Sequence, residues 1–108
     1  MKYPKSDWEL FKKKIPVWQE QYVTQLNKVY IDILSQNKSA LENFWELDKC
    51  IKNDKKCLGV RINMSSTDMY CDIVTLLRQG VINFTDLAEF SSKLQDDVKN
   101  AIVSIICK

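Results

Sequence analysis

The hydrophobic and polar positions along this chain follow the period of an α-helix over most of its length. The pattern is clearest between residues 16 and 36, where apolar side chains recur every three or four positions and so share one helical face. That face is formed by Trp18, Tyr22, Leu26, Val29, Tyr30 and Ile33. Val17 and Ile31 fall outside it, and we expect them to contact a neighbouring helix or a partner.

A separate, shorter helix is predicted before this one. Ser6 and Glu9 have the spacing of a capping box, in which a serine and a glutamate satisfy free amides of the first turn. The apolar side of this helix is formed by Trp8, Phe11 and Ile15. Pro16 should end it, because the residue before a proline is disfavoured from helical geometry while proline itself suits a first turn.

The third predicted helix begins at Ser39, which forms a second capping box with Glu42, and ends at about residue 55. Its inward face is expected to be formed by Ala40, Leu41, Phe44, Leu47 and Ile51. Residues 60–64 then alternate like a short strand. Because the chain offers no sheet that such a strand could join, we interpret this segment as an extended connection.

The remaining sequence predicts a helix over residues 66–79, one helical turn over 86–90 and a last helix over 92–106. Gly80 is the expected glycine after the end of the 66–79 helix. The inward faces of these two helices are formed by Met69, Tyr70, Ile73, Val74, Leu77, Leu94, Val98, Ala101, Ile102 and Ile105. Together the segments predict a single all-α domain over residues 1–108, a compact bundle of five to six helices.

The composition agrees with one folded helical domain, since 45% of the 108 residues are apolar, 28% are charged and only two are glycine. The net charge of +2 is uneven: residues 1–61 carry 12 basic and 8 acidic side chains, and residues 62–108 carry 4 and 6. Only two of the 16 basic residues are arginines. Arginine recognises phosphates and base edges best, so nucleic-acid binding is disfavoured.

The four cysteines, Cys50, Cys57, Cys71 and Cys107, lack the paired spacing of a zinc site, and the chain has no histidine. We therefore expect no metal and no cofactor, and we interpret the cysteines as small buried apolar residues. Without histidine there is no Ser-His or Cys-His nucleophile, and most acidic residues fall on polar helix faces. The chain is not expected to be an enzyme, and no residue is a candidate for catalysis.

The expected location is the cytoplasm, with reduced thiols. The first 14 residues are polar and charged, unlike a signal peptide, and the apolar run 101–107 is too short to cross a bilayer. Abundant asparagine and isoleucine, with lysine far more common than arginine, are typical of a low-GC bacterium or its phage.

The candidate site is a stripe on the third predicted helix. Four residues spaced at i, i+4, i+7 and i+11 form one row beside the apolar face, called the Trp45 row here: Trp45, Lys49, Lys52 and Lys56. One interpretation is structural, with Trp45 buried at the edge of the core and Lys49 over its ring. In the same interpretation Asp48 pairs with Lys52, four residues further along.

Two functional interpretations remain beside the structural one. In the first, the Trp45 row is a protein interface, with an aromatic anchor and a charged rim. In the second, it contacts a phosphate backbone, and Lys55 and Arg61 join it. A cluster is also expected between the first three helices, as core packing or as an apolar groove for a partner or a second copy, formed by Trp8, Trp18, Tyr22 and Trp45.

Two stretches resemble segments of a loosely defined group of short proteins from low-GC Gram-positive bacteria and their mobile elements. They are residues 44–56 followed by Gly59 and Val60, and residues 80–87 with Phe90 and Ser91. The resemblance covers most of the chain from Trp8 onward. Members of the group often carry the label "multidrug transporter", which implies membrane spans that this chain is not expected to have. The resemblance implies no catalytic residues.

The sequence therefore favours a small protein-binding module, a regulator or inhibitor of the phage or mobile-element type that occludes a partner surface. Its binding residues would be Trp45, Lys49, Lys52, Lys56 and Arg61. The expected partner is another protein, with an acidic or a nucleic-acid-binding surface. The alternatives are nucleic-acid binding through the same basic stripe and self-association as a homodimer.

Overall fold

The computed structural model describes residues 3–106 of the chain, with side chains as far as Ser104. These residues form four α-helices: α1 (Lys5–Leu34), α2 (Ala40–Asp54), α3 (Met69–Arg78) and α4 (Ser92–Ile106). Two 3-10 turns, Ser66–Asp68 and Phe84–Leu87, precede α3 and α4. Helices make up 74% of the described residues and none of these lies in a strand, so the predicted all-α class is confirmed.

The break predicted at Pro16 is wrong, because α1 continues through this residue as one helix of 30 residues. A proline inside a helix leaves the carbonyl four residues earlier, that of Lys12, without its usual amide partner. Against this cost, the continuous helix keeps Phe11, Ile15 and Trp18 on one buried face, at 0%, 4% and 4% exposure. The merger of two predicted helices, and the 3-10 form of the turn before α4, reduce the expected five or six α-helices to four.

Long-range hydrogen bonds hold the start of α1, where no side-chain cap forms at Ser6. Asp7 is 2% exposed and accepts hydrogen bonds from the backbone N–H of Ser91 at 2.9 Å and from its hydroxyl at 2.6 Å. The Tyr3 hydroxyl donates to the carboxylate of Asp97 at 2.7 Å. Burial and this carboxylate raise the pKa of Tyr3 well above its ordinary value. These hydrogen bonds connect the N-terminal end of α1 and the residue Tyr3 before it to the N-terminal end of α4 and the residue Ser91 before it.

The core lies between the first half of α1, α3, α4 and the turn before α4, a region called the core lobe here (residues 3–18 and 60–104). Its fully buried side chains are Phe11, Met69, Ile73, Leu76, Leu87, Leu94 and Val98. The Trp18 ring packs 6.2 Å from that of Phe11 and 6.3 Å from that of Phe90, measured between centroids. The predicted inward position of Ile105 lies outside the described side chains.

The end of α3 follows the sequence prediction. Gly80 has φ +75°, a left-handed conformation that glycine adopts without a steric penalty. Its N–H bonds to the carbonyl of Leu77 at 3.2 Å, and the next N–H, of Val81, bonds to the carbonyl of Leu76 at 3.0 Å. This is the Schellman pattern, which satisfies the last carbonyls of a helix.

The second half of α1 and α2 form a two-helix hairpin, called the helical arm here (residues 19–58). Among the described elements α1 is the main packing partner of α2. Only two arm side chains are buried, Ile33 and Asn43, and one of these is polar. The Asn43 amide donates to the carbonyl of Gln36 at 3.2 Å, and Ser39 caps α2 as predicted by accepting the N–H of Glu42 at 3.1 Å.

The molecule is elongated, so the expectation of a compact bundle is wrong. Its Cα radius of gyration is 16.7 Å and its extents are 53 × 32 × 21 Å. A compact chain of this length would have a radius of gyration of about 13 Å. The difference follows from α1, since 30 helical residues extend about 45 Å and carry the arm beyond the core lobe.

A close-packed joint connects the helical arm to the core lobe after α2. A Cβ added to Gly59 would lie 2.5 Å from the Tyr22 ring and 2.8 Å from Val81, so only glycine fits. Beside it, the side-chain carbonyl of Gln79 accepts the N–H of Leu58 at 3.0 Å. Residues 61–65 then form no regular structure, in agreement with the predicted connection.

Candidate partner-binding surface

The structure places Trp45, Lys49 and Lys52 on the outer side of α2 and Lys56 in the turn that follows it, because the helix ends at Asp54. Trp45 is 57% exposed, and the three lysines of the row are exposed as well. All four side chains line one shallow depression, together with Glu46, Asp48, Cys50 and Asn53. All of these residues except Lys56, which lies in the turn after α2, belong to that helix, so the surface is formed mainly by one helix. Arg61, the fifth predicted site residue, is exposed in the connection that follows and does not line the depression.

The rotation of α2 about its axis explains why this row faces outward. The side that meets α1 carries Asn43, Leu47, Cys50 and Asp54, which recur at i, i+4, i+7 and i+11. Hydrogen bonds at both ends fix this rotation: the Asn43 amide donates to the carbonyl of Leu34, the last residue of α1, at 3.5 Å, and the Tyr30 hydroxyl donates to Asp54 at 2.5 Å.

The inward face predicted for this helix is therefore partly wrong. Leu41 and Phe44 were expected in the core, yet they are 66% and 57% exposed, and Ala40 is exposed too. Leu47 and Ile51 are half-buried. The physical reason is that the second half of α1 contacts only one side of α2. This contact is narrower than the apolar arc of α2, so part of the arc remains exposed.

The Trp45 ring contacts its neighbour Phe44 rather than the core. The two rings are perpendicular (87°), with centroids 5.2 Å apart. Among the described residues no cation–π contact joins Lys49 to Trp45; the one observed has Lys12 over Trp8 at 5.5 Å. The interpretation in which Trp45 is buried at the edge of the core and covered by Lys49 does not agree with this geometry.

The charges around the row are only partly paired. Asp48 and Lys52 form the predicted pair, at 3.0 Å, and Lys38 pairs with Glu46 at 3.3 Å. Within the described part of the chain, no ion pair involves Lys49, Lys55 or Lys56. Residues 48–56, which span the end of α2 and the following turn, carry four lysines and two aspartates, so this segment has a net charge of +2 beside an exposed indole.

Two tyrosines of α1 pack against α2 and the joint and form hydrogen bonds with them. Burial, and then the hydrogen bond to Asp54, raise the pKa of Tyr30 well above its ordinary value. Burial, followed by a hydrogen bond with Cys57, raises the pKa of Tyr22 to about 12. Both phenols therefore stay protonated at neutral pH and act as hydrogen-bonding groups rather than as acids or bases.

The cysteines are less buried than the sequence suggested. Cys50 and Cys57 are half-buried, Cys71 is exposed, and all three are free thiols. The Cys57 thiol donates to the side-chain carbonyl of Gln79 at 3.1 Å, which makes it part of the joint. Cys107 lies outside the described residues. Among residues 3–106, no group of three or more Cys, Asp or Glu side chains is placed to hold a metal ion.

One carboxyl group departs from the expected solvated state. Burial, and then the nearby charge of Asp68, raise the pKa of Asp72 on α3 to about 6. One of its oxygens, Oδ2, is buried without a hydrogen-bond partner. Periodicity placed Asp72 on a polar face, and no local pattern signals this environment.

The predicted aromatic cluster divides between the two regions. Trp18 is buried in the core lobe and Trp8 packs at its edge, 6.0 Å from the Phe11 ring, whereas Trp45 is on the outside of the arm. Instead, the arm carries six large apolar side chains that are more than half exposed: Val29, Ile31, Leu34, Leu41, Phe44 and Trp45. Of these, the sequence signalled Trp45, as the anchor of the candidate interface, and Ile31, which falls outside its apolar arc.

Comparisons with protein-family models, with curated proteins and with solved structures found no match to this chain. No helix among the described residues is long and apolar enough to span a membrane.

Proposed function

We propose that this protein is a binding module for another protein and that it contacts its partner through the Trp45 row on the outer side of α2. The observation that carries the proposal is the solvent exposure of Trp45, which is 57% exposed on a helix whose other side is already packed. Large aromatic side chains of this kind supply much of the affinity of protein interfaces, because they bury a wide apolar area at a small cost in side-chain entropy.

The charges next to Trp45 define the chemistry of the partner. Lys49 and Lys56 have no ion pair within the described chain and flank the same depression as the indole. A partner that presents an apolar pocket bordered by Asp or Glu side chains would pair with both features. Such complementary charges would accelerate association and select the binding orientation.

The shape of the surface favours occlusion as the mechanism. A single convex helix fits into a groove of its partner, as amphipathic helices do in many regulatory complexes. A helix seated in a groove covers whatever that groove would otherwise bind. The proposed role is therefore that of a regulator or inhibitor, encoded by a low-GC bacterium, a phage or a mobile element.

The test is the triple variant Trp45→Ala, Lys49→Ala, Lys52→Ala. It should lose partners that the wild-type protein captures from a low-GC Gram-positive lysate, and its Kd for a captured partner should rise at least tenfold, the effect of one typical hot-spot residue. Its thermal midpoint should stay close to that of the wild type, because all three side chains are exposed.

A matched control carries the same kinds of change on other surfaces: Val103→Ala, Lys13→Ala, Lys99→Ala, all at exposed positions. This variant should bind normally. If the Trp45 triple variant unfolds, or if both variants bind like the wild type, the proposal is wrong. Random-sequence duplex DNA at low salt separates the nucleic-acid alternative, which requires binding that weakens steeply as salt is raised.

A further inference from the structure

The helical arm has a second exposed surface, on a different side of α2 from the Trp45 row. On α2 it is formed by Phe44, Leu47 and Ile51, which recur at i, i+3 and i+7 and so form one row. Phe44 is 57% exposed, and the other two are half-buried. The centre of the Trp45 row lies about 140°, or about 0.4 of a turn, away around the same helix, at 100° per residue.

This row continues across the hairpin onto α1. Where two antiparallel helices pack together, each has a line of residues that faces the other helix. A residue one position further along the chain is rotated by 100° from this line, and on both helices that rotation leads to the same side of the pair. On α2 the contact line passes through Asn43 and Cys50, and on α1 it passes through Leu26 and Ile33. By this rule Leu34, which is 52% exposed, lies on the same side as Phe44. The shared side is called the flat face of the arm.

The arm has too little interior to account for these apolar residues. Ile33 and Asn43 are its only buried side chains, whereas a helix in a folded protein is normally stabilised by an apolar face packed against its neighbours. Two hairpins packed face to face make a four-helix bundle, in which each one supplies the missing half of the core. The flat face has the layout of such a half-bundle.

The charge of the arm favours a second copy of the chain over a strongly charged partner on this face. Residues 19–58 carry six lysines and six acidic residues, so two arms do not repel each other. The charge also changes sign along α2 and the turn that follows it. Residues 40–47 carry Glu42 and Glu46 and have a net charge of −2, whereas residues 48–56 carry four lysines and two aspartates and have a net charge of +2. In an antiparallel pair, the acidic segment of each copy would lie beside the basic segment of the other.

We infer that two copies of the chain associate through the flat faces of their arms, in antiparallel orientation, to form a four-helix bundle with one core lobe at each end. The Trp45 row points away from this bundle and remains free for another partner. The elongated shape described above allows this arrangement, because a core lobe at the far end of each arm does not obstruct the opposite arm.

The size of the face agrees with a specific but modest interface. Fifteen residues of α2 extend about 22 Å, and two adjacent helices are about 20 Å wide, so the two faces together present about 900 Å² in projection. A corrugated surface exceeds its projection, which brings the buried area to the range of about 1,000 Å² and above that specific interfaces need. Interfaces at this low end of the size range belong to weak complexes, so we expect the dimer to form only at micromolar or higher concentrations of the protein.

Sedimentation velocity between about 1 and 500 µM tests this inference. The wild-type protein should change from the 12.7 kDa monomer to a dimer over this range. The variant Leu34→Glu, Phe44→Glu should remain monomeric at least tenfold beyond the wild-type midpoint, with the same far-ultraviolet circular dichroism. The variant Leu34→Ser, Phe44→Ser should also shift the midpoint of dimerisation to higher protein concentration. It replaces the double-glutamate variant in this test if that variant loses helicity.

Two controls locate the contact on the arm. Val103→Glu introduces the same charge at an exposed apolar position of α4 and should dimerise like the wild type. The Trp45→Ala, Lys49→Ala, Lys52→Ala variant should also dimerise normally, which separates this inference from the proposed function. A wild type that stays monomeric throughout overturns the inference, and so does a dimer that survives both changes at Leu34 and Phe44 or that is lost in either control.

Discussion

The core lobe and the helical arm use the same kind of amphipathic helix with opposite results. In the core lobe, α3 and α4 bury Ile73, Leu76, Leu94 and Val98 completely, because the first half of α1 and a 3-10 turn cover them. In the arm, α2 has an apolar arc of similar breadth but only one neighbour, so Leu41 and Phe44 remain exposed. An apolar stripe thus becomes a core or a surface according to what lies beside it.

The largest expected difference between the two regions is in the cost of removing a phenyl ring. Phe11→Ala should lower the free energy of unfolding by about 3–5 kcal/mol, because it empties a fully buried site. Phe44→Ala should cost less than about 1 kcal/mol, since its ring is mostly exposed. Urea unfolding of both variants measures the contrast. Equal losses would mean that the arm has a core of its own, and the division into two regions would fail.

The next effect concerns the joint. Gly59→Ala should cost about 1–3 kcal/mol, because its new methyl group would overlap the Tyr22 ring. The matched control is Gly80→Ala, where no atom lies within 4 Å of the added carbon and the cost of about 1 kcal/mol comes from the positive φ alone. Amide chemical shifts give the location of the damage. Gly59→Ala should perturb Tyr22 and the end of α2, and Gly80→Ala only the end of α3.

The smallest expected effect depends on pH. The pKa of Asp72 is about 6 in the folded protein, against 3.8 when exposed, so folding opposes its ionisation. Below pH 3.8 both states are protonated and the group has no effect; as pH rises towards 6 and above, it destabilises the folded state. Because Asp72 is only half-buried, solvent screening limits this penalty to about 1 kcal/mol or less.

The variant Asp72→Asn tests whether the ionised carboxylate of Asp72 destabilises the folded state. It should match the wild type near pH 4 and be slightly more stable at pH 7, as measured by urea unfolding at both values. Asp32→Asn, at an exposed position of the arm, is the control and should leave the pH dependence unchanged. A variant that is less stable at pH 7 would show that the carboxylate of Asp72 is stabilising instead.

Local signals in the sequence predicted most of the helices and several of their ends. The Ser39 cap and the Gly80 terminator were correct because each depends on a few neighbouring residues. The predicted break at Pro16 was wrong, because the free energy gained by burying Phe11, Ile15 and Trp18 along one helix exceeds the local preference of proline for a break. Periodicity finds an apolar arc but does not indicate whether a neighbouring element covers it.

The candidate site was predictable only as a row of residues. The spacing of Trp45, Lys49 and Lys52 requires that they share one side of a helix, and they do. Their exposure depends on the rotation of α2, which Asn43 and Asp54 fix through contacts with α1. The pairing of Asp7 with Ser91, 84 residues apart, likewise leaves no local pattern in the sequence.

The sparse packing of α2 also has a consequence for how this protein changes over generations. Most side chains on the outside of the arm make few contacts, so substitutions there should alter stability by no more than about 0.5 kcal/mol. The fully buried side chains lie in the core lobe instead. If α2 binds a partner as proposed, substitutions on its surface would change the choice of partner and leave the fold intact.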